Sequence, residues 1–320
     1  MTNDVQTKIA TIDQTVMQLH AALQEYIEAA YHISDPQMVK ERAALLLEPG
    51  VIHQRPYLES TPRYVSGPKY SDISGLDSAV SSLFTSLSKS DATKPILYNP
   101  PYLHQAEAIE GILVQNKSLM IMTGTGSGKT ESFLLPILGK LALEAAHQPS
   151  SFANHSAVRA MILYPMNALV NDQLGRLRLL FGNSRLSKQF ETWAGRPIRF
   201  ARYTSRTLYP GVRDPKKDTD RLSPIGKYYV KHLQDSLDPA SPNHASSQVL
   251  VEELKSRGKW PAKPDLLAWY GKASSRWQDS KTKDFKRCVT LPHDQELFTR
   301  HEVQAAPPDV LVTNYSMLEY

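Results

Sequence analysis

One run in the sequence has the residue types and spacing that suit phosphate binding, namely Thr-Gly-Thr-Gly-Ser-Gly-Lys-Thr-Glu at positions 123–131. Its three glycines can adopt backbone angles that other residues avoid, so successive N–H groups can turn inward around an anion. Lys129 is placed to reach the β- and γ-phosphates of a nucleoside triphosphate, and the Thr130 hydroxyl to ligate Mg²⁺. The run therefore predicts a phosphate-binding loop.

The segments on either side of this loop fit that interpretation. Residues 118–122 are mostly apolar and predict a short buried strand, and residues 132–138 predict the start of a helix. A strand, a glycine-rich turn and a helix form the context that such a loop needs, because the helix N-terminus adds positive charge to the anion site. The run departs from the usual pattern at its first position, where Thr123 replaces glycine. The alternative is a glycine-rich turn that binds nothing.

A predicted helix at residues 102–113 precedes the loop and contains Gln105. A carboxamide donates and accepts at once, so Gln105 could pair with the N6 and N7 edge of adenine. The neighbouring His104 has no other metal-ligand residue types beside it and is interpreted as a structural residue.

Beyond the loop, strand and helix patterns alternate, with strands expected at residues 157–164, 197–203 and 309–312. This alternation predicts an α/β fold with a parallel sheet and helices on both faces. Ligands of such sheets bind beyond the carboxyl ends of the strands, which is where the turns that follow these strands should lie.

Two further regions show no catalytic pattern. In residues 5–30, apolar residues recur at spacings of four and three and predict one amphipathic helix, which packs on a second helix at residues 37–47 or on a coiled-coil partner. Residues 208–307 hold 17 Lys and Arg against 13 Asp and Glu, with tryptophans interleaved. This basic insertion is either an accessory domain with a tryptophan core or a surface that contacts nucleic acid.

The composition further narrows the class of protein to which the chain can belong. The 320 residues include one cysteine, Cys288, which excludes an internal disulfide or a multi-cysteine metal site within the chain and favours a reducing cytoplasm. The net charge of +5 is only mildly basic. No apolar run is long enough to predict a membrane span, and the first residues predict no secretion signal. We therefore expect a cytoplasmic protein without membrane contact.

Four patterns in order carry a family resemblance: Leu-His-Gln at 103–105, the run at 123–131, Tyr-Pro-Met-Asn-Ala-Leu-Val-Asn-Asp-Gln at 164–173, and Thr-Asn at 313–314. In this order they resemble the DEAD/DEAH-box helicases of superfamily 2. The residues of these motifs most resemble those of the large bacterial helicases that include the mitomycin-repair helicase and the helicases of anti-phage systems such as DISARM and Druantia.

The resemblance implies ATP and Mg²⁺ as cofactors and single-stranded nucleic acid as partner, with DNA favoured over RNA, and it admits protein partners of a repair or defence complex. It implies that Lys129 and Thr130 are catalytic and that Thr130 meets the Mg²⁺ carried by ATP. It assigns ATP binding to Gln105, Thr123, Gly124, Thr125, Gly126, Ser127, Gly128, Lys129, Thr130 and Glu131. It assigns contacts with the nucleic-acid backbone to Pro165, Met166, Asn167, Thr204, Thr313 and Asn314. Met166 departs from the family, which often carries threonine there.

The resemblance also sets the expected domain organisation. We divide the chain into an N-terminal helical accessory region and linker (1–95), the first part of a RecA-like lobe (96–207), the basic insertion (208–307) and a continuation of the lobe (308–320). No Asp-Glu-x-His or Asp-Glu-x-Asp run occurs in the sequence, so we expect an incomplete lobe, truncated before the Walker B motif. Such a piece should bind ATP without hydrolysing it efficiently and should leave unpaired sheet edges that favour aggregation.

Three functions compete at this stage. The first is an ATP-dependent helicase or translocase in DNA repair or anti-phage defence, represented by its ATP-binding part. The second is another phosphate-loop enzyme, such as a kinase or a small-molecule ATPase. The third is a non-catalytic scaffold that works through the insertion. The patterns around Gln105, Pro165 and Thr313 favour the first.

Overall fold

The computed structural model describes residues 11–54, 57, 63–89, 95–124, 126–208, 221–270 and 290–318. These residues form two compact units, Met1–Arg63 and Tyr64–Tyr320. Several residues of the sequence analysis lie outside the described ranges, namely Val5, Ile9, Thr125, Trp277, Phe285, Cys288 and Tyr320.

The first unit is a pair of helices, α1 (Ile12–Ala30) and α2 (Pro36–Leu47). The Asp35 side chain accepts from the first N–H groups of α2, as expected for an N-cap residue. The two helices bury little of the apolar stripe of α1: Leu46 is their one buried residue in the described part, and Tyr26 is 67% exposed. The expected packing of α1 against α2 is therefore slight, and a coiled-coil partner stays a prediction.

The second unit contains the sheet and most of the helices. Its described helices are α3 (Ser78–Ser88), α4 (Leu103–Ile109) with a π-helical turn (Glu110–Val114), α5 (Lys129–His147), α6 (Pro149–Asn154), α7 (Asn167–Phe181), α8 (Ser184–Ala194), a second π-helical turn (Gly226–Val230), α9 (Lys231–Leu237), α10 (His244–Ser256), α11 (Leu266–Tyr270) and α12 (Arg300–Ala305). Short 3₁₀ turns occur at Tyr70–Asp72 and Tyr315–Met317.

The described sheet has four strands, β1 (Ala160–Tyr164), β2 (Phe200–Tyr203), β3 (Glu296–Leu297) and β4 (Val310–Asn314). They lie in the order β1-β4-β2-β3, and every pair is parallel. The fold class predicted from the alternation of strand and helix is thus confirmed as an α/β parallel sheet, in keeping with a partial RecA-like lobe.

The main core fills the sheet face on which α3, α5, α7 and α8 lie, and the opposite face carries a smaller cluster around Ala201, Leu297 and Val303 of α12. Residues 64–89 belong to the main core because Tyr70, Val80 and Phe84 are buried in it. The structure thus differs from the expected boundary at residue 95, since the packed part of that region begins about 30 residues earlier.

Two expectations about strands were wrong. Residues 118–122 form no strand, and Met120 and Met122 are 85% and 83% exposed. A strand is held by main-chain hydrogen bonds to a neighbour, and no described strand pairs with this segment. In β1, which we expected to be fully buried, only Ile162 is buried, while Met161 and Leu163 are each 47% exposed on the other face.

The insertion has a core of its own, which includes Leu222, Val251, Trp260 and Trp269. For the two tryptophans the structure therefore supports the accessory-domain alternative. The predicted insertion also contributes to the lobe, because β3 pairs with β2 and α12 covers the sheet. No helix of the described residues combines the length and the apolar character that crossing a membrane requires.

One buried carboxylate anchors the amino ends of the strands. Asp309, just before β4, accepts hydrogen bonds from Arg159 before β1 and from Arg196 and the Arg199 backbone N–H before β2, at 2.8–2.9 Å. Asp309 is 1% exposed, so this network fixes three strands in register deep in the protein. The turns predicted to contact nucleic acid follow the opposite, carboxyl ends of the same strands.

Candidate nucleotide and nucleic-acid site

The phosphate-loop candidate meets the start of the 19-residue helix α5. Gly126 and Gly128 have φ of +79° and +76°, the left-handed region that glycine adopts without strain. The helix begins at Lys129, and no side chain of the described residues caps it. The N–H groups of its first turn are therefore available to an anion as far as the described residues show, and the helix dipole adds positive character there.

Gln105 lies against the loop. Its Nε2 donates to the carbonyl oxygen of Gly128 at 3.1 Å, and its Oε1 accepts from the Tyr102 backbone N–H at 3.0 Å. Gln105 is buried, so these contacts fix the loop to the start of α4. A carboxamide carries two donors and two acceptor sites, so one of each is left after these two bonds.

The Glu131 carboxylate also lies beside Gly128. A Cβ added to Gly128 would stand 2.5 Å from Gln105 Nε2 and 3.2 Å from Glu131 Oε2, so any larger residue would have to displace the Gln105 amide. Glu131 Oε1 pairs with Arg176 Nη1 at 3.2 Å, which links the loop to α7. The loop is also closed on itself, because the hydroxyls of Thr123 and Ser127 are 2.6 Å apart.

An aromatic group beside the loop was not found from the sequence. The ring centroids of Tyr64 and Tyr102 are 5.4 Å apart, and the His104 ring stacks on Tyr102 at 5.8 Å. The Tyr64 hydroxyl lies 3.1 Å from the position that a Cβ on Gly124 would occupy. Tyr64 is far from the loop in sequence, so no local signal marked it. The His104 ring contacts both tyrosine rings, and its structural role stays a prediction.

The three turns predicted to contact nucleic acid lie side by side at the carboxyl edge of the sheet. Strand register pairs Tyr164 with Asn314 and Tyr203 with Thr313, so the turns after β1, β4 and β2 are neighbours. Two hydrogen bonds join them directly. Asn314 Nδ2 donates to Asn167 Oδ1 at 2.9 Å, and the Thr313 hydroxyl donates to the Tyr203 carbonyl at 2.6 Å.

Exposure separates these residues into two groups. Thr204, Thr313 and Asn314 are at most 5% exposed, and their side chains bond within the turns. Pro165 and Met166 are exposed at the same edge. The first group therefore shapes the turns, whereas the second presents a surface.

Helix α7 connects the two halves of the site. Its first residue, Asn167, contacts Asn314 at the sheet edge, and Arg176 two to three turns later contacts Glu131 in the phosphate loop. Burial raises the pKa of the Tyr164 hydroxyl, an effect that the Arg176 cation opposes. A displacement of α7 would therefore change the geometry both at the sheet edge and at the phosphate loop.

Comparison with known proteins agrees with this geometry. Residues 102–201, which run from the start of α4 into β2, match the family model described as DEAD/DEAH box helicase. This segment is similar to the DEAD/DEAH box helicases. The helicase match includes Gln105, the phosphate loop and the Pro165 turn; Thr204, Thr313 and Asn314 lie beyond it.

Three relatives extend the comparison. The chain is 44% identical to the Druantia protein DruE of Escherichia coli (strain UMEA 4076-1) over 326 aligned residues, which cover 98% of this chain. It is 36% identical over 88 residues to the ATP-dependent RNA helicase DBP7 of two yeasts, Meyerozyma guilliermondii and Scheffersomyces stipitis, which covers 28% of this chain and 11–12% of each relative. The chain spans 17% of the length of DruE. No solved structure matches it significantly.

Proposed function

We propose that this chain is the Mg²⁺-ATP-binding segment of a nucleic-acid helicase or translocase that acts in anti-phage defence. The observation that carries the proposal is the phosphate loop: Gly126 and Gly128 in left-handed conformation, an uncapped start of α5 at Lys129, and Gln105 fixed against the loop. The match to the DEAD/DEAH box family and the similarity to a Druantia protein support the class.

The residues present fit a triphosphate. Among the described residues, no atom lies within 4 Å of the position a Cβ on Gly126 would occupy, and no side chain caps the start of α5, so this side of the loop is open to a ligand. Lys129 and the backbone from Thr123 through Glu131 would hold the phosphates, and Thr130 would meet Mg²⁺. Mg²⁺ neutralises charge on the phosphates when bound.

We assign recognition of the adenine base of ATP to Gln105. The second hydrogen of its Nε2 and the second lone pair of its Oε1 match the acceptor and the donor on the N7 and N6 edge of adenine. Tyr102, whose ring is 39% exposed beside it, offers a face on which a base can stack.

We assign the binding of the nucleic-acid strand to the carboxyl edge of the sheet. Pro165, Met166 and Asn167, together with Thr204, Thr313 and Asn314, would contact its backbone. For the three buried residues we assign this role to the turns that they shape, with backbone N–H groups as donors to phosphate. We favour DNA over RNA.

We further infer that these 320 residues bind ATP without efficient turnover, because the sequence contains no Asp-Glu-x-His or Asp-Glu-x-Asp run to polarise the attacking water. Rapid phosphate release by the purified chain would contradict this inference.

The proposal is tested by two titrations of the 320-residue chain. A fluorescent ATP analogue should bind more tightly with Mg²⁺ than with EDTA, and a labelled oligo-dT strand should bind with an affinity that falls steeply with salt. An oligo-U strand compares RNA with DNA. Absence of ATP binding at millimolar analogue would refute the proposal.

A further inference from the structure

A cleft of about 360 Å³ lies where β2, α7 and β3 meet the insertion. Its lining includes Asn171 and Arg178 of α7, Arg202 of β2, and the rings of Tyr229 and Phe298. The cleft combines apolar side chains such as Leu174 and Ile225 with the charged groups of Arg178, Arg202 and Glu296. None of the family patterns named above includes a residue of this cleft other than Asn171.

Arg202 differs from two other partly buried arginines of the lobe. Arg178 makes a bidentate pair with Glu296 at 2.8 and 2.7 Å, and Arg196 pairs with Asp309. The recorded hydrogen bond of Arg202 goes from Nη1 to the neutral Asn171 Oδ1, at 2.5 Å. Within the described residues no carboxylate forms an ion pair with it.

The carboxylate in the same cleft as Arg202, that of Glu296, is already paired with another arginine. Both Glu296 oxygens are already bonded to Arg178, and Oε2 also accepts from the Ala262 N–H. Burial lowers the pKa of Arg202, and the attraction of Glu296 only partly opposes this. A guanidinium in this setting retains N–H donors that a planar anion can fill.

The same end of β2 carries two more arginines around the Thr204 turn. The Arg206 N–H donates to Thr204 Oγ1 at 3.3 Å, and Arg300 Nη2 donates to the Thr204 carbonyl at 2.9 Å. In the described part of the chain neither side chain forms an ion pair, and that of Arg206 is exposed. Three arginines are therefore associated with one turn at the proposed strand-binding edge, since Arg202 and Arg206 flank Thr204 in sequence and the Arg300 guanidinium bonds to its carbonyl.

We propose that Arg202 and its cleft bind a phosphate group, supplied by the backbone of the single strand that passes the Thr204 turn. A guanidinium matches phosphate with two parallel N–H bonds, and an anion would neutralise a partly buried charge that forms no ion pair within the described residues. The inference rests on the proposed function for the identity of the strand. A small phosphorylated ligand would present the same chemistry.

The test uses the full 320-residue chain with three variants. Arg202→Gln removes the charge, and Arg202→Lys keeps the charge but lacks the two parallel N–H donors of the guanidinium. Arg257→Gln removes an equal charge from an exposed side chain of the insertion that pairs with Glu253. Labelled oligo-dT is titrated over a range of salt, and inorganic phosphate is titrated calorimetrically. Thermal melts confirm folding, and Arg202→Gln should melt no lower than the parent because it removes a partly buried charge that forms no ion pair in the described residues.

Arg202→Gln should weaken oligo-dT binding about tenfold and reduce the magnitude of the salt slope by about 0.7, with Arg202→Lys intermediate and Arg257→Gln unchanged. Unchanged strand binding with loss of inorganic phosphate binding in Arg202→Gln would keep the phosphate site and assign it to a free ligand. If Arg202→Gln matches the parent in both titrations, the inference is overturned while the proposed function stands. A parent chain that binds neither probe overturns both.

Discussion

The side-chain amide of Gln105 donates to the carbonyl oxygen of Gly128, 23 positions later in the chain, at 3.1 Å. This bond connects the residue assigned to adenine with the loop assigned to phosphate. The nucleotide site is therefore held together by the protein itself, because Gln105 also accepts from the Tyr102 N–H at the start of α4.

Substitution of Gln105 should weaken nucleotide binding and stability together. Gln105→Ala leaves the Tyr102 N–H and the Gly128 carbonyl without their partner, at a cost of about 1–3 kcal/mol in the free energy of unfolding. Gln105→Glu keeps the acceptor and loses the donor, and it places a carboxylate beside Glu131, so it should bind an ATP analogue more weakly still. Chemical denaturation and analogue titration measure both effects. Equal stability of parent and Gln105→Ala would contradict this view of the loop.

The two positive-φ glycines of the loop should respond differently to alanine. Gly126→Ala meets open space and carries only the backbone penalty of a left-handed residue, about 1–2 kcal/mol. Gly128→Ala carries the same penalty and also drives its Cβ to 2.5 Å from Gln105 Nε2. We expect Gly128→Ala to lower the free energy of unfolding clearly more than Gly126→Ala in urea titrations without nucleotide. The reverse order would show that the described loop conformation is wrong.

Asp309 should be among the residues least tolerant of substitution. Asp309→Asn removes the charge that Arg159 and Arg196 share in a buried network, which should destabilise the protein by about 3–5 kcal/mol. The matched control, Glu252→Gln, removes an exposed carboxylate that pairs with Lys255 and should change stability by less than about 0.5 kcal/mol. Thermal or urea melts compare them, and similar losses in both variants would argue against the anchoring role.

A pH effect is expected at His293, whose Nδ1 lies 2.9 Å from the Glu191 carboxylate. This hydrogen bond and charge raise the pKa of His293 above its ordinary value of 6.5. The contact therefore contributes its full, small stabilisation below pH 6.5, and the contribution is lost as the pH rises through the higher pKa of the folded state. A ring NMR titration should show a midpoint above 6.5 that falls in Glu191→Gln, with Asp265 and Asp294 sustaining the remainder of the rise. A midpoint at or below 6.5 in the parent would contradict the contact.

Much of the site could be predicted from the sequence because its signals are local. The glycine spacing before Lys129 specifies a loop at a helix start, and apolar runs that end in Pro165 and Thr313 specify strands whose turns share one edge. Parallel pairing then makes neighbours of turns that are far apart in the chain. Fold class and candidate turns follow from such patterns.

Contacts between distant segments carry no such signal. Nothing in the sequence tells that Gln105 bonds to Gly128, that Tyr64 lies beside Gly124, or that Asp309 meets two arginines. Nor does an apolar run reveal whether a neighbour exists to pair with it, which is why residues 118–122 read as a strand and form none. The two-residue strand β3 is too short for any periodicity to predict.

Arginine at position 202 illustrates the same limit. The sequence shows one basic residue near the end of a strand, and most such residues are solvated or paired. Only the fold shows that Arg202 lines a cleft and that the carboxylate in the same cleft, Glu296, is already bonded to Arg178.

The central claim is that the loop at residues 123–131 binds ATP through Lys129, and the most direct measurement is the affinity of the 320-residue chain for a fluorescent ATP analogue with Mg²⁺. Lys129→Ala should weaken this affinity at least tenfold, about 1.4 kcal/mol or more, because it removes the cation that reaches the phosphates. Lys140→Ala, on the exposed face of the same helix and bonded to Asn116, should leave it unchanged. Equal affinity of Lys129→Ala and the parent chain would contradict the account.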